Sequence, residues 1–416
     1  MMALPPKLAE KVAEAGLKDP TPIQAQAIPH ALNGRDVMGL AQTGTGKTAA
    51  FGIPLIARLL EEGGRPAPKT ARGLVLAPTR ELAAQIAKVL RDLTDLRVQI
   101  VVGGVSINPQ IQRLTKGADI LVATPGRLLD LVDRRAIRLD ETGFLVLDEA
   151  DQMLDLGFVH ALRKIASLMG DNRQTMLFSA TMPKQMAEIA QSYLRNPIRV
   201  EVSPPGKAAD KVEQSVHFIA KAEKSALLVE LMDKHRDNRA LVFTRTKHGA
   251  DRLARTLDRA GFAVAAIHGD KRQGQRERAL AAFKAREIRV LVATDVAARG
   301  LDIPDVLYVY NYELPNVPEA YVHRIGRTAR AGKEGQAVAL CAPDEMPHLK
   351  DIQKVMKLSI PVASGRPWEE MPDPNAAKKP SRGRGRGRGR PGGKPGNAPG
   401  TSKPSNRRRR KPRPKT

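Results

Sequence analysis

Gly44, Gly46, Lys47 and Thr48 stand within five consecutive positions, a pattern able to cradle phosphate. Small residues let backbone N–H groups approach phosphate oxygens at a helix N-terminus. The lysine neutralises charge, and the threonine hydroxyl can ligate Mg2+. Ala41 occupies the place of the first glycine of the generic pattern. The plainer alternative is a glycine-rich turn with a chance Lys-Thr pair. Farther along, Asp148-Glu149-Ala150-Asp151 follows the apolar run Phe144–Leu147. A strand-end aspartate such as Asp148 can hold Mg2+ from the far side, and a neighbouring glutamate can orient and deprotonate a water. The same four residues also suit an acidic helix N-terminus favoured by the dipole; with the phosphate loop upstream, nucleotide hydrolysis is the better reading. Phosphoryl transfer further needs positive charge at the γ-phosphate, often from another domain. His323-Arg324-Ile325-Gly326-Arg327-Thr328-Ala329-Arg330 offers three arginines. If the segment is helical, Arg327 and Arg330 share a face. Its bland counterpart is a solvated basic helix.

Such residues need a scaffold, and the chain shows its rhythm. The apolar runs Val37–Leu40, Leu74–Ala77, Val98–Val102, Ile120–Ala123, Phe144–Leu147 and Met176–Phe178 alternate with helix-like stretches, as in a parallel α/β sheet. Each run is followed by small or polar residues: the phosphate loop, Pro78-Thr79-Arg80, Gly103-Gly104, Thr124-Pro125-Gly126-Arg127, the acidic cluster, and Ser179-Ala180-Thr181. Because ligands bind at the carboxyl ends of such strands, all six clusters are expected on one rim. A Pro/Gly-rich break at Ser203–Lys207 reads as a linker. The rhythm then resumes with Ala240–Phe243, Val264–Ile267, Val290–Ala293, Val306–Val309 and Ala337–Leu340. Leu121-Val122-Ala123-Thr124 and Leu291-Val292-Ala293-Thr294 repeat the same four residues, which agrees with two similar domains. The expected division is a first domain over 1–203, a linker over 204–210, a second domain over 211–345, a C-terminal extension over 346–375 and a disordered tail over 376–416.

Charge and composition narrow the partners. With 69 Lys and Arg against 44 Asp and Glu, the 416-residue chain carries +25, which points to a polyanion. Sixteen of the basic residues and no acidic one lie from Lys378 to Lys415, leaving +9 for the rest. That tail is Gly-, Pro-, Arg- and Lys-rich, with an RG repeat from Ser381 to Arg390 and no apolar set able to build a core. Cys341 is the single cysteine, which excludes an internal disulfide framework and a multi-cysteine zinc module. No apolar run reaches membrane-spanning length, and Met1–Lys18 lacks the features of a secretory signal; a soluble, cytoplasmic protein is expected. Aromatic residues make up 3% of the chain, which argues against a sheet that stacks RNA bases on rings. The nucleic-acid grip is expected on the backbone.

The order of these clusters resembles the DEAD-box family of ATP-dependent RNA helicases, from Gly16 to about Gly335. Gly16…Pro20-Thr21-Pro22-Ile23-Gln24 resembles its adenine-reading Q motif, and Ala41–Thr48 matches its phosphate loop, alanine included. In the second half Phe243-Thr244-Arg245, His268-Gly269-Asp270 with Gln273 and Arg276, Ala293-Thr294-Asp295 through Arg299-Gly300-Leu301-Asp302, and His323–Arg330 complete the series. The resemblance implies two tandem RecA-like domains that close on ATP and RNA and separate duplexes locally. It implies Gln24 on adenine; Ala41, Gln42, Thr43, Gly44, Thr45, Gly46, Lys47 and Thr48 on the phosphates; Asp302 on the ribose; Mg2+ on Thr48 and Asp148; Glu149 as base; and Arg327 and Arg330 as arginine fingers. RNA contacts are implied for Pro78, Thr79, Arg80, Gly103, Gly104, Thr124, Pro125, Gly126, Arg127, Arg245, Gly269, Gln273, Arg276 and Thr294. Asp151, Ser179, Thr181 and His323 are implied to couple hydrolysis to strand separation. Thr328-Ala329-Arg330-Ala331-Gly332 and the RG-rich tail look most like the bacterial RhlE-type branch.

One element departs from the family: it usually places an adenine-stacking aromatic ahead of the Q motif, and no aromatic precedes Phe51. Weak ATP binding is expected. Ribosomal or RNA-degradation proteins are candidate partners, and a monomeric core is expected. Two rivals remain: a translocating DNA helicase of the same superfamily, and an ATP-gated RNA clamp or chaperone whose basic tail anneals strands.

Overall fold

In the computed structural model the central apolar runs become parallel strands buried on both faces. It describes residues 4–41, 44–202, 212–298, 306–328 and 335–368. The expected linker 204–210, Gln42, Thr43, Asp302, Arg330 and the tail 376–416 lie outside the described residues.

The first sheet is built from β1 Val37–Leu40, β2 Ala71–Leu76, β3 Val98–Val101, β4 Ala118–Ala123, β5 Phe144–Leu147, β6 Gln174–Ser179 and β7 Ile198–Glu201. Its order is β3-β4-β2-β5-β6-β1-β7, and every pairing in it is parallel. On β2, Leu74 and Leu76 enter one core layer and Val75 the other, which explains the unbroken apolar run.

The second sheet uses β8 Val212–Phe218, β9 Ala240–Thr244, β10 Val264–Ile267, β11 Val290–Thr294, β12 Tyr308–Asn311, β13 Gly335–Cys341 and β14 Val362–Ser364, ordered β10-β11-β9-β12-β13-β8-β14. Strand for strand this is the order of the first sheet. The repeated Leu-Val-Ala-Thr falls on β4 and the start of the loop after it in one half and on β11 in the other, each the fourth strand of its half. Leu121 pairs with Leu74 of β2, and Leu291 with Leu241 of β9, the second strands of the two halves.

Three strands lack an apolar run. β7 reads Ile-Arg-Val-Glu, and β8 mixes Glu213, Gln214 and Ser215 among its apolar residues. β14 is exposed throughout. β7 and β14 are edge strands, and β8 lies next to β14. The stretch expected as an extension packs into the second domain. β14 pairs with β8, and α15 (Met346–Met356) buries Met346, Leu349, Ile352 and Met356 against Tyr321 and Ile325, the spacing of an amphipathic helix. Among the described residues no helix is long and apolar enough to cross a membrane.

Candidate active site

The phosphate loop joins β1 to α3 (Lys47–Glu62). Gly46 caps α3 with φ +90°, and a Cβ there would lie 2.5 Å from Gln24 Nε2. Conformation and space both require glycine. Gln24 is the third residue of α2 (Pro22–Leu32), whose N-cap is Thr21. Its Oε1 accepts from the Thr21 backbone N–H at 3.0 Å, and its Nε2 donates to Gly46 O at 3.0 Å. These bonds fix the amide's orientation and leave one N–H and one lone pair, the complement of an adenine edge. Lys47 Nζ donates to Ala41 O at 3.1 Å and lies 4.0 Å from Asp148 Oδ1.

Asp148 and Glu149, at the end of β5, are each 2% exposed. Glu149 has φ +50° at the N-cap of α7 (Ala150–Asp155), a strained backbone of the kind that collects at functional sites. Asp148 Oδ1 accepts from the Glu149 N–H at 3.0 Å. Burial pushes the Asp148 pKa up to about 6; Lys47 opposes this, and Glu149 and Asp151 add to it. A buried carboxylate so disfavoured as an anion is one that gains from a cation. Among the described residues no group of three or more His, Cys, Asp or Glu could hold a metal. Mg2+ typically takes one or two carboxylates beside phosphate oxygens and waters, so a lone buried aspartate facing a phosphate loop, with Thr48 following Lys47, fits it.

Asp151 ties this cluster to the next strand end. Its Oδ2 accepts from Ala180 N at 3.1 Å, Thr181 N at 2.8 Å and Thr181 Oγ1 at 2.9 Å. Its own N–H donates to Ser179 Oγ at 3.2 Å, and that hydroxyl donates to Thr181 O at 2.7 Å. From the second domain, His323 Nε2 approaches Asp151 Oδ2 to 3.7 Å.

His323 lies on α14 (Pro318–Ile325). α14 ends at Ile325 and Arg327 sits in the following turn, so Arg327 lies off the helix, and Arg330 lies outside the described residues. Arg327 is buried, and its Nε donates to His323 O at 3.3 Å. Arg324 does structural work that spacing did not reveal. It grips Asp295 Oδ1 and Oδ2 at 2.6 and 2.8 Å, donates to Asn311 and Glu313 O, and lies over the Phe243 ring. A buried arginine of this kind holds α14 against the sheet.

A cavity of about 450 Å3 lies between the two domains. Pro78, Thr79, Arg80, Gly103, Thr124, Gly126 and Arg127 line it from the first domain, and Gly269 and Arg276 from the second. Thr79 caps α4 (Arg80–Leu93), accepting from Leu82 N at 3.2 Å. Arg80 lies over Gly104, where a Cβ would come 2.1 Å from its guanidinium at φ +70°. Pro125 opens α6 (Pro125–Asp133), and Arg127 donates to Val105 O at 3.0 Å. Arg276 of α12 (Gln273–Lys284) meets Glu81 Oε1 at 3.0 Å, both side chains buried.

Gly104, Pro125, Arg245, Gln273 and Thr294 are not among the lining residues. The Arg245 N–H donates to Glu313, and its guanidinium faces Asn316 and the buried Glu345, at 3.4 and 3.9 Å. Gln273 donates to Glu277, and Thr294 ends β11. Glu81, directly after Pro78-Thr79-Arg80, also lines the cavity, and so do Asp130, Leu156, Phe158 and Ala297 from outside every cluster.

The chain matches the DEAD/DEAH box helicase family over residues 21–189 and the helicase conserved C-terminal domain over residues 223–332. It is 43% identical to the ATP-dependent RNA helicase CshA of Listeria monocytogenes, over 88% of this chain and 70% of that one. It is 44% identical to the DEAD-box ATP-dependent RNA helicase CshA of Bacillus subtilis, over 84% and 70%. Among solved structures it resembles Saccharomyces cerevisiae Dbp5 bound to RNA and ADP BeF3, at TM-score 0.77 and 31% identity, covering 87% of this chain and 94% of that one. It also resembles Mss116p bound to single-stranded RNA and AMP-PNP, at TM-score 0.79 and 28% identity, covering 88% and 78%.

Proposed function

The chain belongs to the DEAD-box family of ATP-dependent RNA helicases, and from that premise we propose how its own residues divide the work. It hydrolyses ATP and separates RNA strands. The phosphate loop and Lys47 hold the nucleotide's phosphates, and Gln24, its amide fixed by Thr21 and Gly46, reads adenine. Thr48 and Asp148 hold Mg2+, which neutralises phosphate charge when bound. Glu149 takes a proton from the attacking water. Arg327, with Arg330 and Asp302 from segments outside the described residues, completes the site from the second domain. Asp151 carries the state of the site to Ser179–Thr181 and, through His323, to the second domain. The division of labour between 1–203 and the segment from 211 onward follows the two sheets.

The observation that carries this reading is the Glu81–Arg276 pair, which joins the two domains within the cavity wall. A buried glutamate beside an RNA backbone is tolerable only when paired. The pair therefore makes the cavity a site for phosphates only when the domains meet, and Arg80 and Arg127 supply the remaining charge. RNA lies there backbone-first. The RNA-bound state of Dbp5 and Mss116p supports it.

Thr328-Ala329-Arg330-Ala331-Gly332 and the RG repeat support an RhlE-type branch, while the relatives above carry the name CshA; the branch rests on those two features. Ribosomal or RNA-degradation proteins as partners, a monomeric core and a cytoplasmic location belong to the same reading.

Charge reversal tests it. Glu81→Arg and Arg276→Glu should each depress RNA-stimulated ATP turnover, and the double exchange should recover much of it. A coupling of about 1–3 kcal/mol, roughly five- to 150-fold, is expected for such a contact. Additive losses would refute the pairing as the basis of closure.

A further inference from the structure

Lys224 and Glu345 form an ion pair in which each side chain is 2% exposed, and neither residue belongs to a motif. Lys224 opens α10 (Lys224–Asp233). Glu345 closes the short 3-10 turn Pro343–Glu345 ahead of α15, beyond the residues that match the helicase C-terminal domain. Exchanging a buried ion pair for uncharged residues of similar volume is often neutral or stabilising. Stability is therefore weak reason for keeping this one.

Its surroundings give a better reason. Lys224 Nζ donates to Glu345 Oε2, to Tyr312 O at 2.8 Å and to Leu340 O at 2.7 Å. Glu345 Oε2 also accepts from Ala342 N at 2.9 Å, and Oε1 accepts from Leu314 N at 3.1 Å. The pair thus fastens the segments that leave β12 and β13. A second cation faces the same carboxylate, because Arg245 Nη2 lies 3.9 Å from Glu345 Oε1. Arg245 follows β9, the neighbour of β12, just ahead of α11 (Lys247–Arg259). Its backbone N–H donates to Glu313 Oε2 at 2.7 Å and its Nη1 to Asn316 Oδ1 at 3.4 Å. Glu313 and Asn316 flank Leu314, the residue Glu345 holds. With its side chain 23% exposed, Arg245 keeps three of its five N–H donors unspent among the described residues. It stands on the rim that carries Gly269 of the cavity wall, at the strand ends of the second sheet.

We propose that Glu345 is a positioning residue for RNA binding: its carboxylate, charge-balanced by Lys224, holds the Arg245 guanidinium ready for a phosphate of the RNA backbone beside the cavity. The inference rests on the reading of the cavity as the RNA site and of Arg245 as a backbone contact next to it. Ordering a rotamer-rich side chain at an interface costs roughly two- to tenfold in affinity. A guanidinium already fixed by Glu345 and Asn316 avoids that cost. The gain lies in RNA affinity and leaves the chemistry at the phosphate loop unchanged.

Glu345→Gln alone leaves Lys224 as an uncompensated buried charge, which endangers the fold. The deciding variant therefore combines Lys224→Met with Glu345→Gln, and Glu345→Asp, which keeps the charge but draws it back by one methylene, accompanies it. ATP turnover by the full chain is measured against the concentration of a single-stranded RNA, with a thermal melt of each variant. The combined exchange should raise the half-saturating RNA concentration about fivefold and Glu345→Asp about twofold. Turnover at saturating RNA and half-saturating ATP should stay at the parent values. Arg245→Ala should weaken RNA binding by itself, and in that background the combined exchange should add nothing. If Arg245→Ala weakens RNA binding while neither Glu345 variant does, the positioning role is overturned and the reading of Arg245 stands. A further loss in the Arg245→Ala background, or slower turnover at saturating RNA, would make the pair a support of the fold alone and equally overturn the proposal. Normal RNA binding by Arg245→Ala would show that Arg245 is no RNA contact, and the proposal would fall with that reading.

Discussion

Replacing Asp148 by asparagine removes a charge that the folded chain holds against its own environment. A free aspartate titrates near 3.9, and burial lifts Asp148 to about 6. Between roughly pH 4 and 6 the folded chain therefore binds a proton that the unfolded chain has released, so stability falls as pH rises through that window. A gap of about two pKa units at 1.36 kcal/mol each amounts to about 3 kcal/mol, fully lost above about pH 6. Asp148→Asn abolishes this loss. The Lys47 ammonium 4.0 Å away already holds that pKa down, so its attraction is contained in the shift and the gain near pH 7.5 stays at about 3 kcal/mol. Denaturant unfolding of the nucleotide-free protein, wild type against Asp148→Asn, measures it at pH 4.5 and 7.5. At the lower pH the variant should lead by only about 1 kcal/mol, and at the higher by about 3 kcal/mol. A variant less stable at pH 7.5, or a difference that does not change with pH, would refute the reasoning. Nucleotide binding should move the opposite way: the variant loses Mg2+-dependent ATP affinity, because the carboxylate that destabilises the empty site is the one the cation needs.

Glu149→Gln should retain ATP and RNA binding while slowing hydrolysis by about two to four powers of ten, since the carboxamide fits but takes no proton; single-turnover kinetics would show equal loss in binding if Glu149 were a ground-state contact. Deleting residues 376–416 removes 16 positive charges and leaves every motif in place. Turnover at saturating RNA should survive while the log–log salt slope of RNA binding falls by about 4, if the tail makes about six contacts at roughly 0.7 each; an unchanged slope would place the tail off the RNA.

The parts of the fold legible in sequence are those buried on both sides. Val37–Leu40 and Phe144–Leu147 are apolar throughout and coincide with β1 and β5, because a central parallel strand has no solvated face to mark with polar residues. β7, β8 and β14 escaped for the converse reason. The repeated Leu-Val-Ala-Thr understated the duplication, since strand order is encoded in connections and packing rather than in residue identity. At the site, glycine and charge clusters marked the loops. Helix ends decided what they did not: α14 stops at Ile325, so Arg327 lies off the helix. Arg324 looked like its neighbours, and only the fold brings Asp295, Asn311 and Glu313 around it. The left-handed backbone of Glu149 carries no signature in residue type, and Phe158 falls outside every motif because the turn that places it belongs to the end of α7.

Steady-state ATP turnover by the wild-type chain, measured without nucleic acid, with single-stranded RNA and with DNA of the same sequence, tests the central claim most directly. Closure of the two domains on RNA should raise turnover with RNA well above both other conditions, Lys47→Ala should abolish it, and a short RNA duplex should come apart only with hydrolysable or tightly bound ATP. Turnover that ignores RNA, or that DNA stimulates equally, would contradict the account.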